Sequence, residues 1–513
     1  MISSLLPELN VVEGAVSRSP NNRRAPTPLP PPPNRRTKII ATLGPATDSD
    51  DMLQALLQAG VDVFRLNMSH AHPDWVQAIV PRVRALAEQH ARQVAVLLDT
   101  QGPAIRTGDL PEKLELSPGD TFTFTVAGHV SQERLSVSVN YDGLVRDLQA
   151  GDTVLVDNGL IRMEVLSTTD REVVCRVLTT GILGSRRHIN LPGVKVGLPA
   201  LTEKDRADLR AGLAAGVDYV ALSFVREAAD IGVLRQFLQE HGATQTGVIA
   251  KIEDQSAIRN LDQIIAVSDG IMVARGDLGV ECPYDQLPLI QRQVVRAVQL
   301  AKKPVIIATH LLESMIQSPM PTRAEITDVS NAVYENADAI MLSGETSVGR
   351  YPLACIEVLQ RVAHRVETGQ PQLRVQDELE LVHKAELIAS TAVHLVDRVQ
   401  ARGLCVFTQS GRLAGLCAAL RPKKAPIFAF SPNPVAAQRL CLRHGVTSFI
   451  MPAAWDAEAT IRAAERMLID RGLVKPGDRI VAVTNMLAHG EVLGAVQLRE
   501  IAPAPVAAAS GGR

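Results

Sequence analysis

The chain has 513 residues, 46% of them hydrophobic and 21% charged, so it is long enough for two or more globular domains. A net charge of −2 and an aromatic content of only 3% argue against nucleic acid and anionic membrane as partners, since both call for basic or stacking surfaces. Six scattered cysteines without a C-x-x-C pair argue against a disulfide scaffold or zinc knuckle and suggest a reducing compartment, and no apolar run is long enough to span a bilayer.

Residues 1–36 carry a proline cluster from Pro26 to Pro33 among Asn and Arg. Such a composition buries no core and predicts a disordered, partly polyproline arm. Ser3, Ser4 and several arginines also fit an organellar transit peptide, which Glu8 and Glu13 oppose.

From Lys38 onward short apolar runs alternate with helical periodicity, the pattern of parallel α/β units. The runs are 38–44, 61–69, 94–100, 219–225, 248–253, 270–278, 304–311 and 339–345, the number that closes a (β/α)8 TIM barrel. The long gap between Thr100 and Tyr219 holds TFTFTV, LSVSVN, DTVLVDNGLIRMEV and EVVCRVL, which read as an inserted all-β module. Thr202 before Glu203 caps the next helix, and TRAE at Thr322–Glu325 reads as a capping box. After Leu359 the remaining runs, GLCVFT, APIFAF, TSFIM, DRIVAVT and AVQLREI, predict a separate C-terminal α/β domain. The resulting organisation is an arm over 1–36, a catalytic barrel over 37–102 and 197–359, a β-rich module over 103–196 and an α/β domain over 360–513.

Barrel enzymes place their chemistry at the C-terminal ends of the strands. Here those ends carry Arg65, Asn67 and Ser69, then Asp99 and Thr100, Ser223, Lys251 and Glu253, Arg275 and Asp277, Thr309 and His310, and finally Ser343 and Glu345. A lysine beside a carboxylate at a buried strand tip is costly without a partner. A divalent cation held by Glu253 and Asp277, with a phosphate facing Lys251, would supply one; an internal salt bridge is the plainer alternative. Asn67, Ser69, Asp99 and Thr100 offer hard oxygens for a monovalent cation, and Arg65 with Lys251 can steady an anion in flight. In the C-terminal domain FTQSGRLAG (407–415) follows a strand and opens a helix, a setting that suits an anion or a plain glycine turn.

Along nearly its whole length beyond the arm the chain resembles the pyruvate kinase family. The motifs are TKIIATLGPA, RLNMSHA, LLDTQGPAIRTG, LPGVKVGLPALTEKD, VIAKIED, SDGIMVARGDLGVE, ATHLLESM, PTRAEITDVSNAV and DAIMLSGETSVGRYP. The resemblance implies a barrel with a β lid and a regulatory C-terminal domain, and transfer of a phosphoryl group from phosphoenolpyruvate to ADP in glycolysis. It implies magnesium, with manganese as a substitute, on Glu253 and Asp277, and potassium on Asn67, Ser69, Asp99 and Thr100. Lys251 and Arg65 would act on the phosphoryl group, and Gly276, Asp277 and Thr309 would hold the substrate carboxylate. Arg106, with Asn67, would meet the nucleotide, and Thr309 or Ser343 would deliver the enolate proton through water. Thr408, Ser410 and Arg412 would grip the phosphate of a sugar-phosphate or AMP effector, and a cytoplasmic homotetramer is expected.

The sequence departs from the family's habit at Gln101 and Ala104, where Lys and Glu are usual. In the family Glu at the latter position accompanies potassium dependence and Lys independence, so Ala104 leaves potassium use open. His310 stands for a common Gln, Asn158 for a frequent Asp, and Leu413 for a frequent hydroxyl residue. A pyruvate-enolate aldolase or lyase and a non-catalytic sugar-phosphate sensor are the competing readings. The lid and Arg106 oppose the first and the intact carboxylate pair the second.

Overall fold

The computed structural model describes residues 35–369, 373–452, 456–488 and 491–502. Eight parallel strands close a barrel: β1 (Lys38–Thr42), β2 (Val63–Asn67), β3 (Ala95–Asp99), β4 (Tyr219–Leu222), β5 (Gly247–Ile252), β6 (Gly270–Ala274), β7 (Val305–Ala308) and β8 (Ala339–Leu342). Each is short and almost wholly buried, as expected where helices cover the outside and side chains fill the inside. Helix starts follow local chemistry: Thr202 Oγ1 accepts from Asp205 N at 3.1 Å, and Thr322 Oγ1 from Glu325 N at 3.2 Å.

All eight strands end before the apolar runs that predict them, and two give way to helix within the run. β6 stops at Ala274, and Arg275–Glu281 turns into a short helix; β8 stops at Leu342 before the helical turn Gly344–Ser347. Arg275 and Asp277 are therefore helical residues and not strand tips. The cause is tertiary: Arg275 Nη2 reaches Thr309 O at 2.6 Å and Arg275 Nη1 reaches Asp328 Oδ1 at 2.7 Å, which draws the chain off the ladder. β2 likewise ends at Asn67, leaving Ser69 in an exposed turn.

The inserted module forms a six-stranded sheet in the order Ile189–Asn190, Thr153–Val156, Ile161–Thr168, Glu172–Val177, Thr121–Thr125, Ser136–Ser138. Its apolar cluster, built around Phe122, Phe124, Val154 and Met163, is separate from the barrel's. Gly102 starts the excursion with φ +70, and a Cβ there would lie 2.8 Å from the Phe224 ring.

The C-terminal sheet runs Val446–Ile450, Ile427–Ser431, Gly403–Phe407, Arg479–Ala488, Glu491–Glu500, with only the last pair antiparallel. It docks on the N-terminal end of the barrel. Cys441 and Leu442 join Ile40, Met272 and Met341 in the barrel-interior cluster, and Tyr219 donates its hydroxyl to Arg439 O at 2.6 Å. Arg421 bridges Asp338 at 2.7 and 3.0 Å, and Lys38 Nζ donates to Val446 O at 2.6 Å. The expected arm over residues 1–36 falls outside the described residues up to residue 34. Its last two residues belong to the folded body: Arg35 pairs with Asp62 at 2.8 Å and the Arg36 N–H donates to Glu367 at 2.7 Å. No described helix is long and apolar enough to cross a membrane.

Candidate active site

The charged side chains of β2, β3 and β5 meet at the C-terminal rim. Period-two alternation puts Arg65 and Asn67 on one face of β2 and carries Lys251 and Glu253 to the same side of the chain leaving β5. Lys251 Nζ lies 3.0 Å from Asp99 Oδ1, 3.0 Å from Glu253 Oε1 and 2.7 Å from Ser223 Oγ. Arg65 Nε pairs with Asp99 Oδ2 at 2.7 Å, and its Nη1 donates to Thr42 Oγ1 at 3.0 Å. Asp99 is thus clamped between two cations. The second Glu253 oxygen accepts from Phe224 N at 2.6 Å, a contact made possible by a left-handed Phe224 with φ 53.

The internal ion pair weighed from the sequence is therefore present. It does not balance the rim. Arg65 and Lys251 face three carboxylates, because Asp277 also acts on Lys251 and Glu253. Burial pushes the Glu253 carboxyl up; Lys251 opposes this, Asp277 adds to it, and the result is about 7. Burial works on Asp99 in the same sense, but Lys251 and Arg65 outweigh it and hold that carboxyl below its ordinary range. Lys251 is held charged above its usual value, since Asp99 and Glu253 overcome the burial that would lower it.

The Asp277 carboxylate makes no hydrogen bond or ion pair with another described residue, and the residue is half-buried. Among the described residues no three His, Cys, Asp or Glu side chains converge as a metal cage. A pair of carboxylates with one member free fits an ion that takes few protein oxygens and completes its shell with water and phosphate, as magnesium does.

Around this centre Asn67 and Asp99 are register partners on β2 and β3, and Asn67 Oδ1 accepts from Ser69 N at 3.2 Å. Thr100 is buried, with its Oγ1 taken by Ser223 N at 3.1 Å. The four oxygen-bearing residues are thus neighbours, although Asn67, Asp99 and Thr100 already serve protein donors. Thr309, left-handed at φ 67, accepts the Gly276 N–H at 2.7 Å and donates to Ala308 O at 2.7 Å. The Gly276 N–H expected to hold a substrate carboxylate is therefore engaged by Thr309. Ser343 Oγ is buried without a partner, whereas Glu345 is consumed by the backbone of Leu312 and Ser343. His310, also left-handed at φ 56, is exposed.

Arg106 is exposed at the lid entry; its Nη1 makes one bond, to Arg186 O at 3.2 Å. A crevice between lid and rim is lined by Pro103, His188, Asn190, Phe224, Glu253 and Glu281. Burial lowers His188, Asp277 opposes that, and Arg106 adds to it. At the far end of the molecule Thr408 Oγ1 accepts from Gly411 N at 3.1 Å, and Ser410 and Arg412 are exposed beside it. Sequence reasoning passed over Thr42, Phe224, Asn190 and Glu281. Thr42 follows from alternation beyond Ile40, but the others act through a backbone N–H or across modules and carry no local signal.

Residues 34–356 match the family model described as "Pyruvate kinase, barrel domain", and 386–492 match "Pyruvate kinase, alpha/beta domain". The chain is 42% identical to a pyruvate kinase of Mycobacterium tuberculosis over 88% of its own length and 94% of the relative's. It is 41% identical to the chloroplastic pyruvate kinase isozyme G of Nicotiana tabacum, covering 88% of this chain and 80% of that one. A crystal structure of a pyruvate kinase from Cryptosporidium parvum superposes with a TM-score of 0.85 at 34% identity, covering 91% of this chain and 96% of that one.

Proposed function

The chain belongs to the pyruvate kinase family and is a phosphotransferase, and from that premise we propose how its rim carries out the transfer of a phosphoryl group from phosphoenolpyruvate to ADP. The observation that carries the reading is Lys251, an amine held between Asp99, Glu253 and Ser223. Phosphoryl transfer asks mainly for positioning and charge neutralisation. Lys251 and Arg65 meet the phosphoryl oxygens, and Asp99 fixes the distance between the two cations. Glu253 and Asp277 hold magnesium, or manganese in its place. The bound ion supplies positive charge to oxygens that gain negative charge during transfer. Asn67, Ser69, Asp99 and Thr100 take potassium.

The Gly276 N–H is engaged by Thr309 and is not available to the substrate. The substrate carboxylate is left to the Asp277 N–H, and to the Thr309 hydroxyl once its proton turns away from Ala308 O. Arg106 meets the nucleotide phosphates from the lid side, with Asn67 beneath. Ser343 is the better placed of the two proton-delivering candidates, because its buried hydroxyl has no protein partner and can hold a water. The lid closes over the rim and excludes water from the transfer.

The cation assignment is tested by chelation. Turnover of phosphoenolpyruvate with ADP should stop when divalent ions are removed and return with magnesium or manganese. A Glu253→Gln enzyme with an unchanged magnesium requirement would refute the ligand assignment.

Three further elements belong to the same proposal. The 408–412 turn binds an effector phosphate, and Arg412→Ala should abolish activation by sugar phosphates or AMP. The chain forms a homotetramer through faces such as the one exposing Val382 (74%) and Leu387 (52%), which sedimentation checks. A cytoplasmic setting suits six cysteines that are all free thiols.

A further inference from the structure

The lid and the helix that carries Asp277 meet at a buried polar joint that none of the roles above uses. Glu281 ends helix Arg275–Glu281, one turn beyond Asp277, so both carboxylates rise from the same side of that helix. Asn190, on the last strand of the lid sheet, donates from Nδ2 to Glu281 Oε1 at 3.0 Å. The Glu281 carbonyl accepts from Gln255 Nε2 at 2.7 Å, and Gln255 stands two residues beyond Glu253. One residue therefore joins the lid, the Asp277 helix and the segment that follows Glu253. The lid approaches the same helix at a second place, where a Cβ added to Gly159 would lie 3.4 Å from Val280 Cγ1.

The joint is expensive as mere packing. Glu281 is 9% exposed and Asn190 6%, and a buried carboxyl with one neutral partner costs more than an apolar side chain of the same size. Asn190 Oδ1 has no partner, and both residues line the crevice between lid and rim. The joint thus has open space on one side, which a fixed packing contact would fill.

We propose that Glu281 is a positioning residue: through Asn190 and Gln255 it ties the placement of the Glu253 and Asp277 carboxylates to the position of the lid, so that lid closure and divalent-cation binding are coupled. This rests on the reading that Glu253 and Asp277 hold the cation.

The test measures manganese binding to the full chain, from the electron paramagnetic resonance signal of free Mn2+, alongside turnover. Groups behind metal ligands typically change affinity or activity about 10–100-fold when removed. Glu281→Ala should weaken manganese about tenfold or more and lower kcat, and Glu281→Gln, which keeps an acceptor for Asn190, should recover most of both. Asn190→Ala, altered only on the lid side, should weaken manganese as well, and it decides the matter if Glu281→Ala does not fold. Asp277→Asn is the control for the underlying reading: unchanged manganese affinity there refutes the cation site itself. Loss in Asp277→Asn with parental manganese affinity in Glu281→Ala and Asn190→Ala would overturn the coupling, as would equal losses in Glu281→Ala and Glu281→Gln.

Discussion

Replacing Lys251 by Met removes the rim's central charge while keeping an unbranched side chain of similar reach. Three contacts disappear: those to Asp99 and Glu253 at 3.0 Å each and to Ser223 at 2.7 Å. Asp99 keeps Arg65 at 2.7 Å, but Glu253 keeps only the Phe224 N–H while Asp277 still repels it. Stranding one partner of a buried ion pair costs about 3–5 kcal/mol when the survivor stays charged. Glu253 has an escape, because its carboxyl already sits at about 7, above the ordinary 4.5, and loss of the lysine raises it further. An acid raised in this way contributes its full stability below the ordinary value and loses it as pH rises through the raised one. The stability gap between parent and variant should therefore be small near pH 5.5 and widen toward pH 8.5. Turnover should fall about 10³–10⁵-fold, the range for a cation that stabilises a transferring phosphoryl group. Urea midpoints at the two pH values and a coupled assay for pyruvate give both quantities. A folded variant with near-normal turnover, or a gap that does not change with pH, would refute the reasoning.

Three other outcomes follow from the same physics. Burial would raise Asp62, but Lys38 and Arg35 pull its carboxyl down to about 2 from the ordinary 3.8. That stability is present above the ordinary value and lost as pH falls through the lowered one. Asp62→Asn should cost about 2 kcal/mol at pH 7 and converge with the parent near pH 2, read from urea midpoints against pH. Arg106→Ala should raise KM for ADP about tenfold, the worth of a charge-assisted phosphate contact, with little change in kcat; an unchanged KM would remove Arg106 from the nucleotide site. Because Ala104 brings no carboxylate to a position where the family resemblance leads to an expected Glu, potassium should activate the parent less than it activates Ala104→Glu, measured in sodium-free buffer. A complete potassium requirement in the parent would contradict this.

The barrel was legible because buried parallel strands read as short apolar runs with polar tips, and all eight runs overlap an observed strand. Their ends were not, since the apolar character of GIMVARGDL continues past Ala274 while hydrogen bonds from Arg275 pull the backbone into a helix. The same error cast Arg275 as a rim cation, although its guanidinium turns back to Asp328. The clustering of Arg65, Asp99, Lys251 and Glu253 followed from alternation within single strands. The Asn190–Glu281 joint spans 91 residues between modules, and nothing in either local pattern announces it. Charge alone could not choose between a salt bridge and a cation site at Lys251 and Glu253. The geometry contains the salt bridge and leaves Asp277 over.

The two modules attached to the barrel are not equally detachable. The lid has its own apolar interior, so exchanging it with a relative's disturbs chiefly two chain crossings and the contacts facing the rim. The C-terminal domain supplies the floor of the barrel. Without it, Cys441 and Leu442 leave the interior, Asp338 loses Arg421, and Lys38 loses the carbonyl of Val446. An excised barrel would open at its base and carry stranded charges there. Chimeras that graft a foreign C-terminal domain onto this barrel must therefore carry matched replacements at Lys38, Asp338 and Tyr219, whereas lid chimeras need none at those positions.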